Sequence, residues 1–224
     1  MCLLMFLLKL VTRQTYFKRN KFILVDNTRN EQAELTDNFA MFEYLQSLSE
    51  YKTKTFYIIN KNSVQYKEIV SKYPHNTIPV EHGHITLKLL FHLISTKYWI
   101  DSFQVISAFD PFGYIAKGKI ITVYAQHGIN YFKTGFIGDI SISPYYFNKI
   151  IFSNETEKKL YRRYYDYNDN NVIMGGLSRW DLIKTDKTER SIFLYFTQRT
   201  YIKMLQSEEI VQTRYYKAIE ELLN

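Results

Sequence analysis

The chain has 224 residues, 46% hydrophobic and 23% charged, which is the balance of a globular domain and excludes a disordered chain. A formal net charge of +7 favours anionic partners, whether nucleic acid, anionic lipid or phosphorylated substrate. Cys2 is the sole cysteine, which excludes an internal disulfide and a cysteine-built zinc cluster and fits a reducing cytoplasm.

Met1 to Leu8 is apolar, but Lys9 ends the run well short of the roughly 20 residues a bilayer span needs. The positive charges follow this run, the reverse of a signal peptide. Two readings stand for residues 1–20: a helix packed on the domain, or an interfacial helix facing anionic lipid. Phe22 to Asp26 reads as a buried strand. Asp37 is a candidate N-cap for a helix carrying Phe39, Phe42, Leu45 and Leu48. Thr55 to Ile59 is the next strand, and Ser63 can cap a helix running to about Tyr73. Thr77 to Val80 is a short strand whose Pro79 suits an end or an edge. Ile85 to Ile94 predicts an apolar helix, Tyr98 to Ile100 a brief strand, and Lys119 to Ala125 a central strand. Lys149 to Phe152 is a strand, followed by a helix over Asn154–Tyr165 with a capping box from Asn154 and Glu157. Val172 to Met174 is a strand closed by Gly175 and Gly176. Ile192 to Phe196 and a helix over about 207–223 read as the opening of a second αβ lobe.

Strands alternating with helices predict an α/β domain with a parallel sheet and helices on both faces. The expected layout is a terminal segment 1–20, a Rossmann-like lobe 21–185, and an incomplete second lobe 186–224, so that the chain reads as part of a longer protein. Ligands in such sheets bind beyond the carboxyl ends of the strands. That rule directs attention to Asp26, to Gln126-His127-Gly128, to Ser153 and to Gly175-Gly176.

His127 is the leading candidate there, because an imidazole titrates near neutrality and can take a proton from an attacking hydroxyl. The alternative is a hydrogen-bonded histidine at a strand end. Gly128 lets a ligand or the backbone approach closely. In Gly175-Gly176-Leu177-Ser178-Arg179-Trp180-Asp181, Arg179 offers a fork for phosphate, and Asp181 could orient it or cap a helix. A Gly turn with a surface ion pair explains the same residues without function. His82 and His84 lack further ligands, so no metal site is expected; His92 reads as core and His75 as loop. Lys158, Lys159, Arg162 and Arg163 form a basic helical patch, open to a solvated face or an anionic ligand. No phosphate-cradling Gly motif, nucleophile elbow or nucleic-acid module is present, and no nucleic-acid partner is expected.

Taken together, these motifs resemble the CDP-glycerol glycerophosphotransferase family over roughly residues 20–224. Asp26, Asp37-Asn38 with Phe42, Tyr44 and Leu45, Gln126-His127-Gly128-Ile129 and Ser153-Asn154-Glu155 occur in the family's order. Gly176 to Asp181 is similar to its Gly-x-Pro-Arg-x-Asp pattern, and Ile192 to Arg199 to the strand that opens its second lobe. Ser178 replaces that Pro, Gln126 stands where many members carry Trp, and Phe196-Thr197-Gln198-Arg199 replaces a Pro-Thr-Trp-Arg-like run. The resemblance implies a GT-B fold and transfer of glycerol phosphate, or a similar polyol phosphate, from a CDP-activated donor, releasing CMP. It implies a teichoic-acid-like or capsular acceptor, anionic polymer or lipid-linked, at the cytoplasmic face of a membrane. His127 would be the general base; Gly128, Ser153, Gly176, Arg179, Asp181 and Arg199 would bind substrate; and no cofactor beyond the donor is implied. Two rival expectations remain: a nucleotide-sugar glycosyltransferase of the same fold, and a non-catalytic module that binds polymer or membrane.

Overall fold

The computed structural model describes residues 19–26, 37–81, 86–102, 120–128, 147–164 and 168–182, with the isolated positions 212 and 217. The chain divides into two compact units, Met1–Lys184 and Thr185–Asn224. The terminal segment, His82 and His84, Arg199 and the strand and helix expected after residue 191 lie outside the described residues.

In chain order the elements are β1 (Lys21–Val25), α1 (Asp37–Ser47), α2 (Ser49–Lys52), β2 (Thr55–Asn60), α3 (Tyr66–Lys72), β3 (Thr77–Val80), α4 (Leu87–Ser95), β4 (Thr96–Asp101), β5 (Ile121–Tyr124), β6 (Lys149–Phe152), α5 (Glu155–Tyr164) and β7 (Val172–Met174). Two short 3-10 helices cover Asp169–Asn171 and Ser178–Leu182. The seven strands form one sheet in the order β3-β2-β1-β4-β5-β6-β7, and each neighbouring pair is parallel. The expected α/β fold with a parallel sheet is therefore present. The chain builds outward from β1 to β3, then returns through α4 to β4 on the other side of β1. The direction of winding thus reverses between β1 and β4, which opens a crevice at their carboxyl ends.

Apolar runs form the inner strands because both faces of the sheet are covered there, whereas Ile173 and Met174 of edge strand β7 are exposed. All six residues of β2 are buried. Tyr57 and Ile59 join Leu24, Phe42, Ile69, Ile100, Val123 and Ala125 in one core cluster. Phe56 faces the other way, its ring 4.0 Å from that of His92 on α4. Pro79 is accommodated because β3 is an edge strand.

Several boundaries differ from expectation for local reasons. Helix α3 does not start at Ser63: the Ser63 hydroxyl accepts from the Gln65 amide at 3.4 Å, within a turn, and Gln65 precedes the helix without a side-chain cap. Helix α4 begins at Leu87 because the Thr86 hydroxyl accepts from the Leu89 amide at 3.2 Å. The brief strand at Tyr98 lengthens to Thr96–Asp101 because it is paired on both sides, with β1 and β5.

His92 is buried, as expected, and Lys21 Nζ lies 3.2 Å from its Nδ1. The ammonium can only donate, so Nδ1 accepts and the ring is neutral. Burial first, then the charges of Lys21 and Lys88, lower the His92 pKa from 6.5 to about 4. Between those values the unfolded chain binds more protons than the folded one, so this group's contribution to stability is complete above pH 6.5 and declines as pH falls toward 4. Urea titrations across that range should show stability falling with acid in the wild type and a shallower slope in His92→Phe. Equal slopes would remove His92 from the acid response.

Candidate functional site

The carboxyl ends of β1, β4, β5 and β6 bring together a polar cluster on an otherwise apolar sheet. Asp26, just past β1, is buried and accepts four hydrogen bonds from described residues: from Ser102 Oγ at 2.6 Å, the Phe39 amide at 2.9 Å, the Tyr57 hydroxyl at 3.0 Å and the Asn38 amide at 3.3 Å. Asp26, rather than Asp37, thus caps the first turn of α1. Burial, and next the Asp26 charge, push the Tyr57 hydroxyl well above its ordinary pKa, so it remains a donor. Asn38 ties the two central strands together, donating from Nδ2 to the Val25 carbonyl at 2.7 Å and the Ile100 carbonyl at 3.2 Å.

Asp37 is buried in the first turn of α1, and its partner is Arg179, distant in sequence. The guanidinium Nη1 lies 3.2 Å from Asp37 Oδ2, and the Arg179 amide lies 3.5 Å from Oδ1. Oδ2 receives this charge at ion-pair distance without hydrogen-bond alignment. Burial raises the Asp37 pKa and the guanidinium opposes that rise. The other arm of Arg179, Nη2, donates to the His127 carbonyl at 3.2 Å. Arg179 therefore braces the His127 turn against α1.

His127 is exposed at the end of β5. Its Nδ1 lies 2.8 Å from the Ser102 carbonyl oxygen. A carbonyl cannot donate, so Nδ1 carries the proton and, in the neutral ring, Nε2 holds the basic lone pair. Among the described residues, a Cβ added at Gly128 would meet nothing within 4 Å. The residue before His127, Gln126, is buried and has φ 62°, a backbone conformation that costs a non-glycine residue about 1–2 kcal/mol.

Of the other expected site residues, Ser153 follows β6 and faces Glu157: its amide and its hydroxyl each donate to Glu157 Oε2 at 2.8 Å. Asn154 accepts from the Glu157 amide at 3.0 Å, so the capping box forms with its return bond one residue earlier than expected. Gly176 lies against an indole, where an added Cβ would come within 3.1 Å of Trp180. Asp181 lies in the 3-10 helix and lines, with Ser178, Leu182, Ala40, Met41 and Tyr44, a groove of about 670 Å³ beside α1. The orienting carboxylate found on Arg179 is that of Asp37. Ser102 and Tyr57 join the cluster without having been singled out in the sequence. Ser102 follows β4 directly and was reachable by the strand-end rule, whereas Tyr57 lies inside β2 and carries no such signal. Among the described residues no group of three or more His, Cys, Asp or Glu side chains is placed to hold a metal, and no helix is long and apolar enough to cross a membrane.

Arg179→Lys replaces a planar fork by a single ammonium, which cannot reach both Asp37 and the His127 carbonyl in the same way. The substitution should cost about 1 kcal/mol in urea unfolding. An unchanged urea midpoint would show that the brace is dispensable.

No protein-family profile and no curated protein matches the sequence. Three solved structures of the wall teichoic acid polymerase TagF are similar in fold, each with a TM-score of 0.51 and 12–13% identity. The match covers 79% of this chain but 43–44% of those chains, so the chain spans less than half their length. Two of the three are His-to-Asn variants soaked with CDPG. At this identity the likeness is one of fold: the seven-stranded parallel sheet with its flanking helices is an α/β, GT-B-like Rossmann lobe.

Proposed function

We propose that this lobe serves a transferase moving a polyol phosphate, glycerol phosphate first, from a CDP-activated donor to a hydroxyl of an anionic polymer or lipid-linked acceptor. The observation that carries the reading is the 2.8 Å contact of His127 Nδ1 with the Ser102 carbonyl, which makes Nε2 the basic nitrogen of an exposed imidazole at the sheet's carboxyl edge. Nε2 accepts the proton of the acceptor hydroxyl as its oxygen bonds to the phosphorus that bears the glycerol. The bond from that phosphorus to CMP breaks, and CMP leaves with the electron pair. Arg179, beside the His127 turn, stabilises charge developing on the phosphate. Gly128 leaves room for the acceptor. The step as written uses no cofactor beyond the donor.

Two features favour the acceptor over the donor diphosphate for this lobe. The first-turn amides of α1 at Asn38 and Phe39 are taken by the Asp26 carboxylate, and the α5 start is taken by Asn154 and Glu157. Helix N-termini are the usual phosphate cradles of such sheets, and side chains of the chain itself fill these two. The fold likeness to structures soaked with CDPG supports a CDP-activated donor. The basic charge suits an anionic acceptor presented at the cytoplasmic face of a membrane.

A donor panel tests this. Turnover of CDP-glycerol or CDP-ribitol, with none of UDP- or GDP-sugars, is the expected result. Turnover of the sugars alone would make the protein a glycosyltransferase. Acceptor binding that is indifferent to every donor and to His127→Ala would make it a binding module.

A further inference from the structure

We infer that Gln126 is a positioning residue for His127: its buried side-chain amide holds the chain in the turn that aims the imidazole. The inference rests on the reading of His127 as the proton acceptor. At its end β5 leaves the sheet abruptly. The ladder with β6 pairs Val123 with Lys149 and Tyr124 with Ile150. Beyond it the main chain turns away at Gln126, whose φ is 62°. The Gln126 side chain takes over the next β6 carbonyl, donating from Nε2 to Ile151 O at 2.6 Å. One residue thus supplies both the turn and the bond that keeps the turn attached to the sheet.

Its position explains why such an unfavourable backbone persists. Residues in sparsely populated conformations survive where their surroundings over-determine them. Here Gln126 is 2% exposed, and the residue after it is held on two further sides. The Ser102 carbonyl accepts from His127 Nδ1, and Arg179 donates to the His127 carbonyl. Neither bond forms unless the chain emerges from β5 in the direction that the left-handed conformation at Gln126 imposes. The anchor also joins this turn to the next strand end, since Ile151 lies two residues before Ser153. Glutamine is not a residue that favours positive φ, so the side-chain bond supplies what glycine or asparagine would supply by backbone freedom.

The test is the tautomer of His127, read from long-range 1H–15N correlations in histidine-labelled protein, with the resonance assigned by its loss in His127→Ala. The wild type should show His127 with its proton on Nδ1. Gln126→Met keeps the side chain's length and removes its donors, and should shift most of that population to the Nε2–H form that free imidazole side chains favour. Gln126→Asn is too short to reach Ile151 O but tolerates positive φ, and should keep more of the Nδ1–H form than Gln126→Met. A folded Met variant with an unchanged Nδ1–H tautomer would overturn the inference. So would Gln126 side-chain amide protons that exchange at solvent rates in the wild type, a measurement that needs no variant. In turnover, Gln126→Met should lower kcat on the order of ten-fold with KM unchanged. If the wild type releases no CMP, the proposed reaction fails, while the tautomer still decides the role of Gln126.

Discussion

Asp26→Ala should lower the free energy of unfolding by about 3–5 kcal/mol, a large part of the stability of a domain of this size. The Asp26 carboxylate gathers four donors at the point where β1, β2, β4 and α1 meet. Removing it leaves the Tyr57 and Ser102 hydroxyls buried without their acceptor and uncaps α1. Relief of the repulsion that Asp26 exerts on Asp37 offsets a small part of the loss. Tyr57→Phe removes one donor and leaves three in place, and should cost about 1–2 kcal/mol. Urea midpoints at constant m-value measure both. Equal losses in the two variants would show that the cluster does not act through its common acceptor.

His127→Ala should lower turnover about 10²- to 10⁴-fold, the range of general acid–base catalysis. Its effect on stability should stay within about 0.5 kcal/mol, because the side chain is exposed and surface substitutions are usually mild. The loss should fall on kcat, since proton transfer belongs to the transition state rather than to binding. A variant that loses stability and turnover together would mean that His127 holds the strand end and does no chemistry.

The fold was legible because the strands are continuous apolar runs separated by helical periodicity, and every described strand coincides with such a run. Sheet order was not legible, since nothing in the runs says that β4 returns beside β1. The site was legible as far as the strand-end rule reaches. His127 and Ser153 do follow strands, and Arg179 follows the glycines that close β7. What joins them was not legible, because it depends on contacts set by register. Asp37 reads as a cap on its own helix until Arg179 is found beside it, 142 residues away in sequence. Asp26 reads as a strand-end carboxylate until Tyr57 turns its hydroxyl toward it from the next strand. Gln126 reads only as the first residue past a strand, because its side chain shows no preference for the turn it makes. The basic helical patch reads as four charges, of which Lys158 pairs with Glu155 and Asp169.

Release of CMP from CDP-glycerol, with a membrane extract as acceptor, tests directly whether His127 is the base of a CMP-releasing transferase. The wild type should release CMP and His127→Ala, equally stable, should not. Undiminished release by the folded His127→Ala protein would rule His127 out as the base.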